Sequence, residues 1–307
     1  MKRIARMVVA ACLGSLISLA PAVSRAATIP TLPKPAAAFD IGTLHVERFG
    51  SGAHALIFIP GLASGPWSWG DAIAHFSPQY TVYALTLNGF DGRAYASESD
   101  PFASFATNFW ALLDREHLAK PVVIGHSLGG TLAFALAEAH PDRLAGIVAL
   151  DGLPVFPAMA MMSPAQREAA AAKLGAQVAS ETHAELLAYN ENFMKTIGTL
   201  DTTLVEPAAQ RESTSDPKAV AAWAQADFSD DLRPRLSAMT LPALELMPYA
   251  PGSPYTKEQT LAFYRMLVAG APQMTVAPID GAKHFAMLDR PAAVNAAITQ
   301  FLATAAW

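Results

Sequence analysis

"ALIFIPG" is a short, wholly apolar run, and "YTVYALTLNG", "PVVIGHS" and "LAGIVALDG" repeat the type. Each ends at a glycine or a polar residue, and helix-length segments separate them. A strand that is apolar along its whole length is buried on both faces, and strands of that kind alternating with helices form a parallel sheet covered on both sides. The expected fold class is therefore α/β, a mostly parallel, doubly wound sheet. In open sheets of this kind ligands bind at the carboxyl ends of the strands, so the residues that follow these runs are the first place to look for chemistry.

Upstream, a proline-rich lead, "TIPTLPKPAAAF", precedes "GTLHVERFG", whose alternation reads as the first strand, with "SGAH" turning into the next. Downstream the texture changes. "SPAQREAAAAKLGAQVASETHAELLAYNENFMKTI" is helical by propensity, with Ser163-Pro164 as cap and first-turn residue, and "SDPKAVAAWAQADF" starts another helix in the same way. The sheet pattern returns at "LPALELMPY" and continues through the helix "YTKEQTLAFYRMLVAG", the strand "QMTVAPI" and the helix "RPAAVNAAITQFLATAAW". This reads as a core of residues 27–152 and 240–307, interrupted by a helical insertion at 153–239 that is too long for a plain connection.

Residues 1–26 stand apart. Lys2, Arg3 and Arg6 precede an apolar run from Met7 to Ala20, and Ser24-Arg25-Ala26 puts small residues where a signal peptidase reads. The segment is expected to be a cleavable secretory leader, which directs the protein to the periplasm or the exterior. Its loss lowers the basic count from 21 to 17 against 26 acidic residues, for a net charge of −9, and removes Cys12, the only cysteine. A mature chain of that kind has no disulfide to stabilise it. Its charge argues against nucleic acid and against anionic membrane surfaces, and no stable membrane association is expected. With 52% hydrophobic and 15% charged residues, the composition is that of a globular protein.

The chemistry centres on "VVIGHSLGGTLAFALA", Val122 to Ala137. A G-x-S-x-G match alone is weak, but here a buried strand leads into the serine and a helix leaves it, the setting of a nucleophile elbow. Ser127 needs a strained backbone, and Gly125 and Gly129 let the strand and helix approach each other. The helix that begins after Ser127 aims N–H groups at the reacting centre. A second such donor is expected from the glycine turn in "FIPGLASGPWSW", so the Leu62 and Leu128 amides form the expected oxyanion hole. The base is expected to be His284, which sits between the last apolar strand and the last helix. The other seven histidines lie in strands, turns or helix ends, and His126, adjoining Ser127, is left a supporting role.

"GHSLGG", the "PGLASG" loop, "LNGFDGR", "HPDRLAGIVALDG" and "IDGAKHFAMLDRPAAVNAAITQFL" together resemble the α/β-hydrolase superfamily, in its group with a helical cap after the sixth strand; the resemblance covers about residues 39–307. It implies an α/β-hydrolase fold with an inserted helical cap, and a serine, a carboxylate and a histidine acting in that chain order. The chain departs from the family at the acid. The turn after the next-to-last strand, "LPALELMPYAPGSP", has Ala250 and Pro251 where an aspartate or glutamate is common. Asp151, at the exit of the neighbouring strand, is the preferred substitute, because some hydrolases of this fold take their acid from there. Glu245, Asp280 and a dyad without an acid stay open.

The resemblance implies hydrolysis of a carboxylic ester of a small, apolar substrate through an acyl-enzyme, with no cofactor and no metal. Lactonase, carbon–carbon bond hydrolase and acyltransferase are the alternatives within the fold, and a non-catalytic ligand-binding protein is the alternative outside enzymes. Trp67, Phe156 and Trp223 are the expected substrate contacts. Phe193, Phe228, Met159, Met161 and Met162 are further apolar groups on or near the insertion, which otherwise serve to pack it on the core.

Overall fold

The computed structural model describes residues 28–307. The expected leader, residues 1–26, lies outside the described residues. Eight strands form one sheet: β1 (Ala37–Ile41), β2 (Leu44–Phe49), β3 (Ala55–Ile59), β4 (Thr81–Thr86), β5 (Val122–His126), β6 (Gly146–Leu150), β7 (Ala243–Tyr249) and β8 (Met274–Asp280). Their order is β1-β2-β4-β3-β5-β6-β7-β8. β1, β2 and β4 pair antiparallel, and every pair from β4 onward is parallel.

β3 shows why its sequence is apolar throughout. All five of its residues are buried, with Leu56 and Phe58 in the core on one face of the sheet and Ile57 and Ile59 in the core on the other. The first face is covered by α1 (Gly70–Phe76) and α9 (Pro291–Leu302), which contribute Ile73, Phe76, Val294 and Ile298. The second is covered by α2 (Pro101–Arg115), α3 (Leu128–Ala139) and α8 (Lys257–Val268), through Phe109, Leu132 and Leu267.

One strand was not foreseen. The end of the proline-rich lead forms β1, which pairs with β2 across a two-residue turn in which Gly42 takes φ +55°. As an edge strand with alternate residues exposed, it carries too little apolar pattern to announce itself.

Between β6 and β7 the chain forms α4 (Pro164–Ala179), α5 (His183–Phe193), α6 (Val205–Glu212) and α7 (Pro217–Ser229). α4 packs on α7, and α5 on α6. Two of these helices start at reciprocal caps, Ser163 with Gln166 and Thr182 with Glu185, which satisfy the first free N–H groups of each. The two ends of the excursion meet at a bridge between Val155 and Asp231, where Leu232 N donates to Pro154 O at 2.7 Å. Asp231 also holds Arg233 at 2.8 Å and Arg167 at 3.3 Å, which fastens α4 to that neck. The turn Arg233–Ala238 already lies against α3 and α8, so the chain rejoins the sheet's own layer some residues before Met239.

Candidate active site

Ser127 stands between β5 and α3 with φ +51° and ψ −121°. Among residues 121–130 it alone is not buried. The crossing that forces this turn is tight. A Cβ on Gly125 would lie 2.0 Å from Gly129 O, and one on Gly129 would lie 2.4 Å from Ile59 O. Both contacts are with backbone, so only glycine fits at either position.

Asp151 ends β6 in the same manner, with φ +50°. His284 follows β8 and brings its Nδ1 to 2.5 Å from Asp151 Oδ2. A carboxylate can only accept, so Nδ1 carries the proton and Nε2 presents its lone pair. Ser127, Asp151 and His284 line one cavity of about 380 Å³. The Ser127 hydroxyl has no hydrogen-bond partner among the described residues, and in ligand-free sites such contacts commonly tighten only when substrate arrives. The Leu62 and Leu128 amides likewise donate to no protein acceptor among the described residues. Both residues flank Ser127's surroundings: Leu62 lines the cavity and Leu128 begins α3.

The other two carboxylates read as possible acids are placed elsewhere. Asp280 pairs with Lys257 at 2.6 Å on the surface. Glu245 is fully buried within β7, where burial, and then the neighbouring Asp151 charge, push its carboxyl well above the usual range.

Three supports were not legible in the sequence or were only named there. Tyr264, from α8, donates its hydroxyl to Asp151 Oδ1, so both oxygens of Asp151 are engaged. Burial, and then the Asp151 charge, raise the Tyr264 phenol well above its ordinary value, so it stays a donor. His126 is buried, and its Nε2 donates to His284 O at 3.0 Å. Burial, and then His284, hold its pKa well below the ordinary histidine value, which keeps it a neutral prop of the His284 backbone. Asp289 accepts from Lys283 N at 2.8 Å and from Thr199 Oγ1 at 2.5 Å, joining the His284 loop to the segment after α5. In that same place Phe285 N donates to Gly198 O at 2.8 Å.

Two of the expected substrate contacts need correction. Trp67 does not line the cavity: it is buried and stacks on Phe285 with centroids 6.2 Å apart, beneath the His284 loop. Trp223 is buried among Phe90, Phe102 and Phe105, with its indole N–H donating to Asn88 O at 3.2 Å. Both indoles bury more area between layers than a cavity wall offers them. Phe156 does line the cavity, with its ring 4.0 Å from that of Phe228, and Phe193 lines it too. Met159, Met161 and Met162 do not, and Met161 is exposed.

Residues 56–297 match the alpha/beta hydrolase family. The chain belongs to that family. Its mostly parallel eight-stranded sheet with flanking helices agrees with the family's fold. The chain is similar to the lipase LipV of Mycobacterium tuberculosis, 35% identical over 132 residues that cover 43% of this chain and 48% of that protein. It is also similar to the pimeloyl-[acyl-carrier protein] methyl ester esterase of Aeromonas hydrophila, 30% identical over 116 residues covering 37% of this chain and 43% of that one. These matches span less than half the length of either relative. Among solved structures, a thermophilic esterase from Thermogutta terrifontis superposes with a TM-score of 0.70 at 22% identity, covering 86% of this chain and 94% of that one. The enol-lactonase of Burkholderia xenovorans LB400 gives 0.68 at 19%, covering 85% and 96%. At such identities the likeness is one of fold.

Proposed function

We propose that this alpha/beta hydrolase is a secreted serine hydrolase that cleaves a carboxylic ester of a small, largely apolar substrate through an acyl-enzyme. The observation that carries the reading is the cavity shared by Ser127 and the hydrogen-bonded pair His284–Asp151. In the proposed cycle, His284 Nε2 takes the Ser127 proton as Oγ bonds to the ester carbonyl carbon. The Leu62 and Leu128 amides receive the oxyanion, and the imidazolium returns the proton to the leaving alcohol as the carbon–oxygen bond breaks. Water, activated by the same ring, then attacks the acyl-serine, and the acid leaves as Ser127 regains its proton. Asp151 holds the ring in the tautomer that each step needs. The cavity's volume and its Phe156, Phe193 and Phe228 rings suit an apolar acyl or alcohol group.

A small molecule is the proposed partner, and no cofactor enters the cycle. No described helix is long and apolar enough to cross a membrane. Ser127→Ala is expected to abolish release of p-nitrophenol from p-nitrophenyl butyrate and labelling by a fluorophosphonate probe. Retained turnover or labelling overturns the assignment of the nucleophile. Secretion is tested by the N-terminal sequence of protein recovered outside the cytoplasm, which should begin at Ala27.

A further inference from the structure

The cavity is not uniformly apolar. Glu181, Glu212 and Asp227 line it together with the rings of Phe156, Phe193 and Phe228, and among the described residues no lysine or arginine does. Asp227, from α7, is 8% exposed, and its Oδ1 has no hydrogen-bond partner. Glu212, which ends α6, is 3% exposed and accepts from Ser64 Oγ at 3.2 Å. Neither carboxyl forms an ion pair among the described residues, although burying an unpaired carboxyl is costly. Asp227 adjoins Phe228 in sequence, and the Phe228 ring lies 4.0 Å from that of Phe156. Thr131, one turn along α3 from Ser127, lines the same wall, donates its hydroxyl to Leu153 O at 3.1 Å and is a hydrogen-bond partner of the Asp227 carboxyl, which leaves Oδ1 as the oxygen free for a ligand. A buried carboxyl with one oxygen unpartnered, in a cavity that aromatic rings line and no lysine or arginine enters among the described residues, is the chemistry that recognises a cation.

We propose that Asp227, in the cavity that the Phe156 and Phe228 rings also line, is a subsite for a protonated primary amine carried by the substrate. Glu212 supplies a second acidic wall, and the cavity discriminates against carboxylate substrates. The inference rests on the hydrolase reading for the reaction, but the subsite itself can be tested without turnover. An amine entering the cavity gains an ion pair with Asp227 and the faces of the two rings. A purely aliphatic group leaves Asp227 Oδ1 unsatisfied, and an anion meets Glu181, Glu212 and Asp227 with no lysine or arginine among the described lining residues to offset them. Burial raises the Asp227 carboxyl to about 7, so the group is largely protonated at pH 6 and must yield its proton when a cation docks.

The test is calorimetric binding of hexylammonium, 1-hexanol and heptanoate, matched in chain length, to the intact protein. Hexylammonium is expected to bind at least tenfold more tightly than 1-hexanol, and heptanoate more weakly than either. At pH 6 the hexylammonium enthalpy should vary with the ionisation enthalpy of the buffer, in the direction of proton release. Asp227→Asn should bring the ammonium-to-alcohol ratio close to one and remove the proton release; Glu212→Gln should lower the ratio less. Equal binding of amine and alcohol by the wild type overturns the subsite, as does a tenfold advantage that survives in Asp227→Asn. The buffer experiment needs no variant, so a variant that fails to fold leaves the outcome decided. Fluorophosphonate labelling of Ser127, run in parallel, separates the two readings. Labelling without an ammonium advantage rejects the subsite alone, whereas an ammonium advantage without labelling rejects the serine mechanism alone.

Discussion

Asp151 has a partner on each oxygen, the His284 ring on Oδ2 and the Tyr264 hydroxyl on Oδ1. If its charge fixes the His284 tautomer, Asp151→Asn reverses the sense of that contact and should lower kcat by about 100-fold or more in ester hydrolysis, with the fold intact by circular dichroism. Near-normal kcat would remove Asp151 from the mechanism. Tyr264 acts on the ring only through Asp151, so Tyr264→Phe should cost about 1 kcal/mol of transition-state stabilisation, roughly a fivefold drop in kcat. KM should be unchanged, because Tyr264 does not line the cavity. A proportionate rise in KM would mean that the substitution merely loosens the site. That Ser127, His284 and Asp151 share one cavity was readable because each follows an apolar strand, and strand ends in a parallel sheet converge. Tyr264 was not, since which side of α8 faces Asp151 depends on how the helix docks. Asp227 and Glu212 were hidden for the same reason, and Trp67 and Trp223 were misplaced because bulk and apolarity do not distinguish a cavity wall from an interface.

At the scale of elements, the turn between β5 and α3 is the least tolerant piece of the molecule. In Gly129→Ala the new methyl would meet Ile59 O at 2.4 Å and Pro60 O at 2.6 Å. Relief requires α3 to move away from β3, and the expected loss is about 1–3 kcal/mol, read as a lower urea midpoint. Activity should fall further than the stability change explains, because Ser127 moves with α3. An unchanged midpoint would show that the crossing is looser than these distances imply. The strand and helix pattern was largely legible here because burial on both faces gives strands one kind of sequence and capped helices another. Ser163 marked the start of α4 correctly. The break at Thr182 was missed: a run with uniform helical propensity conceals a reset that only the reciprocal cap with Glu185 reveals. β1 escaped notice because an edge strand buries too little.

Across the whole molecule, three buried carboxyls tilt stability with pH. Burial raises Glu212 to about 8 and Asp227 to about 7, and lifts Glu245 well above its ordinary value. The unfolded chain releases these protons near pH 4, whereas the folded protein keeps them. Each group therefore contributes stability that is complete below about pH 4 and is lost as pH rises through its folded value. The melting temperature should fall between pH 6 and pH 9, and Glu212→Gln should flatten the slope at the alkaline end. A wild-type slope of the opposite sign would contradict this assignment.

Asp289 binds the His284 loop and the segment at Thr199–Asp201 with one carboxylate. Half of the roof is thereby fastened to the His284 loop, while α4 and α7 are held by the Asp231 neck and by Trp223 of α7 against Asn88, away from that loop. The two halves differ in what can be exchanged. A foreign sequence grafted between residues 156 and 180 would reshape the cavity wall at Phe156, Leu174 and Gln177 and leave the His284 loop in register. The same graft at 194–201 would disturb the Asp289 contacts and the His284 loop together with the shape of the cavity.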